Sequence, residues 1–114
     1  MSDGHGLGRA GEDAAADYLV AKGYTIVTRR WRGSGGEIDI VALDGDTLVF
    51  VEVKTRTTTS SIALEAIDNA KTNAIFAASD DYIDRIGGDG RIVRYDIITI
   101  SRQGTFHLVD AFRP

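Results

Sequence analysis

The stretch Gly36-Glu37-Ile38-Asp39-Ile40-Val41-Ala42-Leu43-Asp44-Gly45-Asp46-Thr47-Leu48-Val49-Phe50-Val51-Glu52-Val53-Lys54-Thr55-Arg56 decides the fold. Two β-rich runs, 37–43 and 47–56, flank Asp44-Gly45-Asp46, and a glycine beside aspartate between such runs marks a hairpin. Period two places Val49, Val51 and Val53 on one face of the second run and Phe50, Glu52, Lys54 and Arg56 on the other. Glu37, Asp39, Val41 and Leu43 share a face of the first. With an even-numbered loop, Asp39 falls on the face of Glu52 and Lys54. A Gly45-Asp46 loop pairs Asp39 directly with Glu52, ~5 Å apart at Cβ, whereas an Asp44-Gly45 loop makes them diagonal neighbours at ~7–8 Å. Either spacing lets both carboxylates reach one ion.

Two anions side by side on a sheet repel unless something positive intervenes. Lys54 supplies one charge, and a divalent cation would supply more. An all-oxygen donor set of this kind suits Mg²⁺ or Mn²⁺ rather than zinc. Upstream, Leu7, Ala10, Gly11, Ala14, Ala15, Tyr18 and Leu19 recur at helical spacing over Leu7 to Lys22, with Gly23 placed to end the helix in a left-handed cap. Glu12 lies along that packing stripe, so an acid faces inward. Downstream, Leu64, Ile67, Ala70, Lys71, Ala74, Ile75 and Ala78 trace the face of a second helix, and Lys71 stands on its buried side. Arg29, Arg30, Arg32, Arg56 and Arg94 are candidates for a cationic rim.

The remaining elements follow from their punctuation. Tyr24 to Arg32 reads as a strand that feeds the turn Gly33-Ser34-Gly35-Gly36, and Thr57 to Ser61 as a polar loop. Ser79-Asp80-Asp81 either breaks the second helix or recaps a further turn, and Gly87-Gly88-Asp89-Gly90 ends the helical region. Arg91 to Ile100 and Thr105 to Phe112 read as the last two strands, across a turn at Ser101 to Gly104. The order is α-β-β-β-α-β-β, an α/β domain over 7–114 behind a flexible, glycine-rich 1–6.

Several residues carry simpler readings. Glu37 is expected to pair with an arginine, and Asp96 to sit in an internal ion pair. Lys71 can be a snorkelling helix lysine. Trp31 is more often half-buried than stacked on a base. His5 and His107 stand alone, with nothing to place either near the acids. The Gly-Ser-Gly-Gly run lacks the lysine of a phosphate-binding loop.

Composition limits the function. In 114 residues, 13 Lys and Arg face 17 Asp and Glu, a net charge of −4, so any nucleic-acid contact comes from a local patch. The chain has no cysteine, which excludes disulfides, thiolate zinc sites and a cysteine nucleophile. No apolar stretch approaches the ~20 residues that span a bilayer. Residues 1–6 have neither a cationic start nor an apolar run, so a cytoplasmic location is expected.

Taken in order, Gly8-Arg9-Ala10-Gly11-Glu12, Gly36-Glu37-Ile38-Asp39-Ile40, Val49-Phe50-Val51-Glu52-Val53-Lys54-Thr55-Arg56, Lys71 and Ala111-Phe112 resemble the marks of the YraN family of small bacterial proteins, over nearly the whole chain. That family is similar to the restriction-endonuclease-like superfamily of P-D…(D/E)-x-K nucleases, most closely to the archaeal type of Holliday-junction resolvase. Ile38 stands where the signature has proline. The resemblance implies a mixed central sheet flanked by helices and a Mg²⁺- or Mn²⁺-dependent endonuclease acting on DNA, in branched or structured forms. It assigns Asp39 and Glu52 as metal ligands with the backbone carbonyl of Val53, Lys54 as the signature lysine and Glu12 as the helix acid, a catalytic residue that would hold an outer-shell water or a second ion. Arg29, Arg30, Arg32, Arg56 and Lys71 would then meet flanking phosphates. Resolvases of the similar type act as dimers, so a homodimer is compatible. The superfamily also holds members that bind without cutting, so the rival is a silent nucleic-acid-binding accessory of the same fold. A purely structural acid-base network is the third reading.

Overall fold

A computed structural model describes residues 3–56, 69–88 and 90–114, with side chains from Arg9 onward and without that of Asn69. The elements are α1 (Asp3–Ala21), β1 (Thr25–Gly33), β2 (Gly36–Asp44), β3 (Thr47–Thr55), α2 (Asn69–Ile86), β4 (Val93–Ser101) and β5 (Gly104–Leu108). Their order and the mixed α/β architecture are those the sequence predicts. The sheet runs β1-β2-β3-β4-β5. All neighbours are antiparallel except β3 and β4, which are parallel. A parallel pair cannot be joined by a tight turn, and here the chain between the two strands carries α2.

Both sheet faces are covered, which is why β3 is buried continuously from Leu48 to Glu52. Ala15, Ala16 and Leu19 of α1 lie against Ile40, Ala42, Val49, Val51 and Ile98. Ile75, Ala78 and Tyr82 of α2 lie against Ile38, Val41, Leu48, Phe50 and Tyr95 on the opposite face. Alternate residues of β3 therefore serve two cores. The β2–β3 hairpin closes at Asp44↔Thr47, which selects the Gly45-Asp46 loop, with Gly45 in the left-handed region at φ 61°.

Both helices end alike. Gly23 has φ 96°, and the Tyr24 N–H reaches back to the Leu19 carbonyl at 3.0 Å. Gly87 has φ 65°, and the Gly88 N–H reaches the Ile83 carbonyl at 2.9 Å. These satisfy carbonyls that a helix end would leave bare.

Most boundaries lie within two residues of those read in the sequence, and three features differ by more. α1 begins at Asp3, four positions before Leu7. α2 passes through Ser79-Asp80-Asp81 without a break, because the buried Ser79 hydroxyl bonds the Phe76 carbonyl at 2.9 Å and lies 2.6 Å from the Tyr95 hydroxyl. Bonded back to a carbonyl of its own helix one turn earlier and held by Tyr95, it offers the backbone no non-helical alternative. β5 stops at Leu108, since Asp110 at φ 56° turns the chain, so that the Ala111 N–H meets the Tyr95 carbonyl at 2.7 Å and Phe112 stacks on Tyr95. Positions Leu64 and Ile67 and the loop at 57–61 lie outside the described residues, as does the His5 side chain.

A second network joins β4, β5 and α1. Asp96 is fully buried and pairs with Arg94 through both oxygens at 2.9 Å, as the internal-pair reading expects. Arg94 also donates to Asp44 at 2.9 Å and to the Tyr24 hydroxyl at 2.6 Å. It is therefore an internal linchpin and not part of a surface rim. His107 is not isolated either: its Nε2 lies 2.7 Å from Asp96 Oδ2, and its Nδ1 lies 3.3 Å from the Tyr18 hydroxyl. The Asp110 N–H supplies a further bond to Asp96 at 3.0 Å. Burial alone would raise the Asp96 carboxyl, but His107, Arg94 and Asp110 outweigh it and hold it below the ordinary aspartate value. This stabilisation is present at neutral pH and is lost as acid protonates the group. Asp96→Ala leaves Arg94 and His107 without their acceptor and is expected to cost about 3–5 kcal/mol in urea unfolding, whereas a loss below about 1 kcal/mol would refute the network's role.

Candidate metal and acid-base site

The ladder between β2 and β3 runs from Asp44↔Thr47 to Ile40↔Val51 and stops there. One step further the register brings Asp39 opposite Glu52. In place of another ladder bond, the Asp39 carboxylate turns across and accepts the Val53 N–H through Oδ2 at 2.8 Å. β2 and β3 part at this point, and β3 continues beside β4 as far as Thr55↔Ile100.

On its other side, β2 pairs with β1 at Arg29↔Ile40 and again at Trp31↔Ile38, skipping Arg30 and Asp39. Arg30 has φ 53°, a left-handed conformation uncommon for a residue with a side chain. Neighbours in a regular strand point to opposite faces. Here Arg29 NH2 and Arg30 Nε both reach Glu12 Oε1, at 3.2 and 2.9 Å. The inversion sends Trp31 to the α2 side, where its ring centroid stands 5.2 Å from that of Tyr82, and Ile38 goes with it. The alternation read for 37–43 therefore slips at Asp39.

Glu12 comes to this end of the sheet because α1 approaches β3 closely. A Cβ on Gly11 would overlap the Thr55 hydroxyl, so any larger residue there would force the threonine side chain to move. Glu12 is 7% exposed and is held by the two arginines. Its charge is felt at Asp39. Among the described residues, no three Asp, Glu or His side chains lie close enough together to hold one ion. The inward acid of α1 is thus beside the pair but committed elsewhere.

Two ammonium groups meet Glu52, which is 8% exposed. Lys71 Nζ of α2 lies 2.6 Å and Lys54 Nζ 3.6 Å from the same oxygen, Oε2. Burial, and then the Glu52 charge, push the Asp39 carboxyl up from 3.8 to about 7, against the pull of the Val53 N–H. Burial, with Lys71 alongside, holds the Lys54 ammonium below the ordinary lysine value. Burial pulls Lys71 the same way, but its contacts with Glu52 and Lys54 outweigh it and leave it raised.

The other expected residues are spread around this centre. Arg29 also binds Asp13, an exposed acid on the same helix as Glu12. Arg32 is exposed and stands 3.6 Å from Glu37, the pairing expected for that glutamate. Arg56 is half-buried at the end of β3 and donates to the Thr55 carbonyl at 3.1 Å. Val53 is half-buried against the α1-side core. Trp31, half-buried as expected, carries Arg85 over its ring at 5.7 Å. Asp39, Glu52, Lys54 and Lys71 are thus brought together. Asp39 and Glu52 offer hard oxygen donors on adjoining strands, a donor set that fits Mg²⁺ or Mn²⁺.

Residues 11–100 match the model described as uncharacterised protein family UPF0102. The chain belongs to the UPF0102 family. A UPF0102 protein of Persephonella marina is 40% identical over 106 residues, 92% of this chain and 91% of its own length. UPF0102 protein BF0634 of Bacteroides fragilis is 42% identical over 119 residues, covering 100% of this chain and 98% of its own. A UPF0102 protein of Chlorobium limicola is 39% identical over 121 residues. UPF0102 is the family that the motifs resemble under the name YraN. No described helix is long and apolar enough to cross a membrane.

In this UPF0102 protein, Asp39→Asn keeps an oxygen for the Val53 N–H while removing a charge. Because the native carboxyl titrates near 7 and the ordinary value is 3.8, the folded state holds its proton more tightly, so wild-type stability falls as pH rises through that interval. The variant lacks this fall and is expected to be more stable than wild type by about 1–3 kcal/mol near pH ~8, with the gap closing near pH ~4. Denaturant titrations across that range check it, and parallel profiles for the two proteins would refute it.

Proposed function

We propose that the protein is a Mg²⁺- or Mn²⁺-dependent endonuclease of the restriction-endonuclease-like type that hydrolyses phosphodiester bonds in DNA, in branched or structured forms, within the cytoplasm. One observation carries the reading: Asp39 and Glu52-Val53-Lys54 converge where β2 leaves β3, with both carboxylates and a buried ammonium at one point. The motif order shared with P-D…(D/E)-x-K nucleases and archaeal-type resolvases supports it.

Asp39, Glu52 and the backbone carbonyl of Val53 would hold the ion, whose chemistry there is Lewis acidity toward a phosphate oxygen and a water. Lys54, with its side chain only 11% exposed, orients the attacking water and offsets charge developing on the phosphoryl oxygens. Glu12 acts from outside this group, fixing Arg29 and Arg30 and adding negative potential at Asp39. The side chains of Arg29 and Arg30 remain 34% and 38% exposed, so each can still meet a phosphate while anchored. Arg32 and Arg56 flank the same end of the sheet, and all four would position a strand without reading its bases. A second copy would serve a substrate with two strands to cut.

A second reading is a silent nucleic-acid-binding module that assists a larger DNA-processing assembly. It is favoured by the Glu52–Lys71 contact, which already neutralises one carboxylate, and by the lack of a third acid among the described residues. A panel of labelled four-way junctions, flaps and single strands with Mg²⁺ or Mn²⁺ separates the two. An enzyme cleaves at least one of them, and Lys54→Ala lowers the rate by about 10²–10³-fold while the circular dichroism stays that of the wild type. DNA that is retarded with strong salt dependence but left uncut identifies the binding module. DNA neither bound nor cut overturns both readings.

A further inference from the structure

We infer that Lys71 is the resident counter-cation of the acidic pair, occupying on Glu52 the position that a divalent ion takes, and that it is exchanged for that ion. The inference rests on the metal-centre reading above and concerns what the chain does before the ion arrives. Lys71 Nζ stands 2.6 Å from Glu52 Oε2, a strong charge-assisted contact, and its positive charge also favours the ionised form of Asp39. A Mg²⁺ or Mn²⁺ ion bound to Glu52 would sit about 2.0–2.2 Å from its oxygen. An ammonium and a dication cannot both hold that oxygen at contact distance, since like charges so close together repel strongly where burial limits screening by water.

One of the two lysines must yield, and the structure distinguishes them. Lys54 rises from the middle of a sheet and its side chain is 11% exposed, whereas that of Lys71 is 44% exposed, near the start of α2. A lysine is a hydrated point charge on a flexible stem, so Lys71 can swing to solvent once an ion replaces it on Glu52. The charge balance then changes sense. With Lys71 in place and both carboxylates ionised, two negative charges face two ammoniums and the group is neutral. With a dication in its stead, Lys54 remains as surplus positive charge and the released Lys71 stands on the open side, where a phosphodiester would approach. Ion and nucleic acid would therefore help each other to bind, while ion and Lys71 compete.

Calorimetric titration with MnCl₂ alone, in the full chain and without DNA, tests the exchange. Lys71→Gln and Lys71→Met, the latter keeping an aliphatic stem, are expected to bind Mn²⁺ about 5- to 150-fold more tightly than wild type, and to gain more in melting temperature on adding it. Lys71→Arg retains the charge and is expected to bind no more tightly than wild type, and Asp39→Asn to abolish binding. Circular dichroism confirms that each variant is folded, and the two neutral variants guard against one failing to fold. Mn²⁺ bound by wild type and lost in Asp39→Asn, but with unchanged or weaker affinity in both neutral Lys71 variants, overturns the exchange and leaves the metal centre standing. No Mn²⁺ bound by wild type or by the neutral variants overturns the metal centre and the exchange together.

Discussion

The bond from the Val53 N–H to the Asp39 carboxylate, at 2.8 Å, is where the backbone and the chemistry of this protein meet. A strand leaving a sheet abandons its partner's donors, and an unpaired buried N–H is costly. Asp39 satisfies the first donor that β2 gives up, which allows the strands to part without loss. The same bond fixes the carboxylate beside Glu52, and so creates a local excess of negative charge that burial makes harder to bear. Lys54 and Lys71 follow from that excess. Satisfying the backbone and concentrating charge are one act.

Asp96 and Asp39 answer burial differently. Asp96 receives four bonds, from Arg94 twice, His107 and the Asp110 backbone, and is held below its usual protonation range. Asp39 receives one backbone bond and faces another carboxylate, and it is pushed to about 7. A saturated carboxylate is a structural tie, as its links to β5 and the C-terminal turn show. An under-compensated one retains capacity for an external cation, and perturbed groups of this kind concentrate at functional sites.

Much of this was legible in the sequence. The element order, the hairpin at Asp44-Gly45-Asp46, the glycine caps and the company of Asp39, Glu52 and Lys54 all follow from local period and turn chemistry. What was hidden depended on distant partners or on one backbone angle. The continuation of α2 past Ser79 depends on Tyr95, 16 residues away. Arg94 and His107 are explained only once β4 stands between β5 and the rest of the sheet. Period two cannot foresee Arg30, whose single left-handed turn gives Glu12 two neighbouring arginines and displaces Trp31 to the other face. A composition of −4 overall likewise conceals that the cations needed at the site come from β1, β3 and α2 in turn.

The one parallel pairing in the sheet has a kinetic meaning. β1, β2 and β3 are joined by two-residue turns and can zip as local hairpins, whereas β3 and β4 meet only after the long crossover closes, an event delayed by its loop entropy. The pairing of Asp39 with Glu52 is set within one hairpin, whereas the Lys71 contact requires α2 to be docked. A meander without its second helix would hold two neighbouring carboxylates lacking that cation, and docking of the helix supplies it. The register that assembles the chemistry early thus gives the chain an incentive to complete its fold.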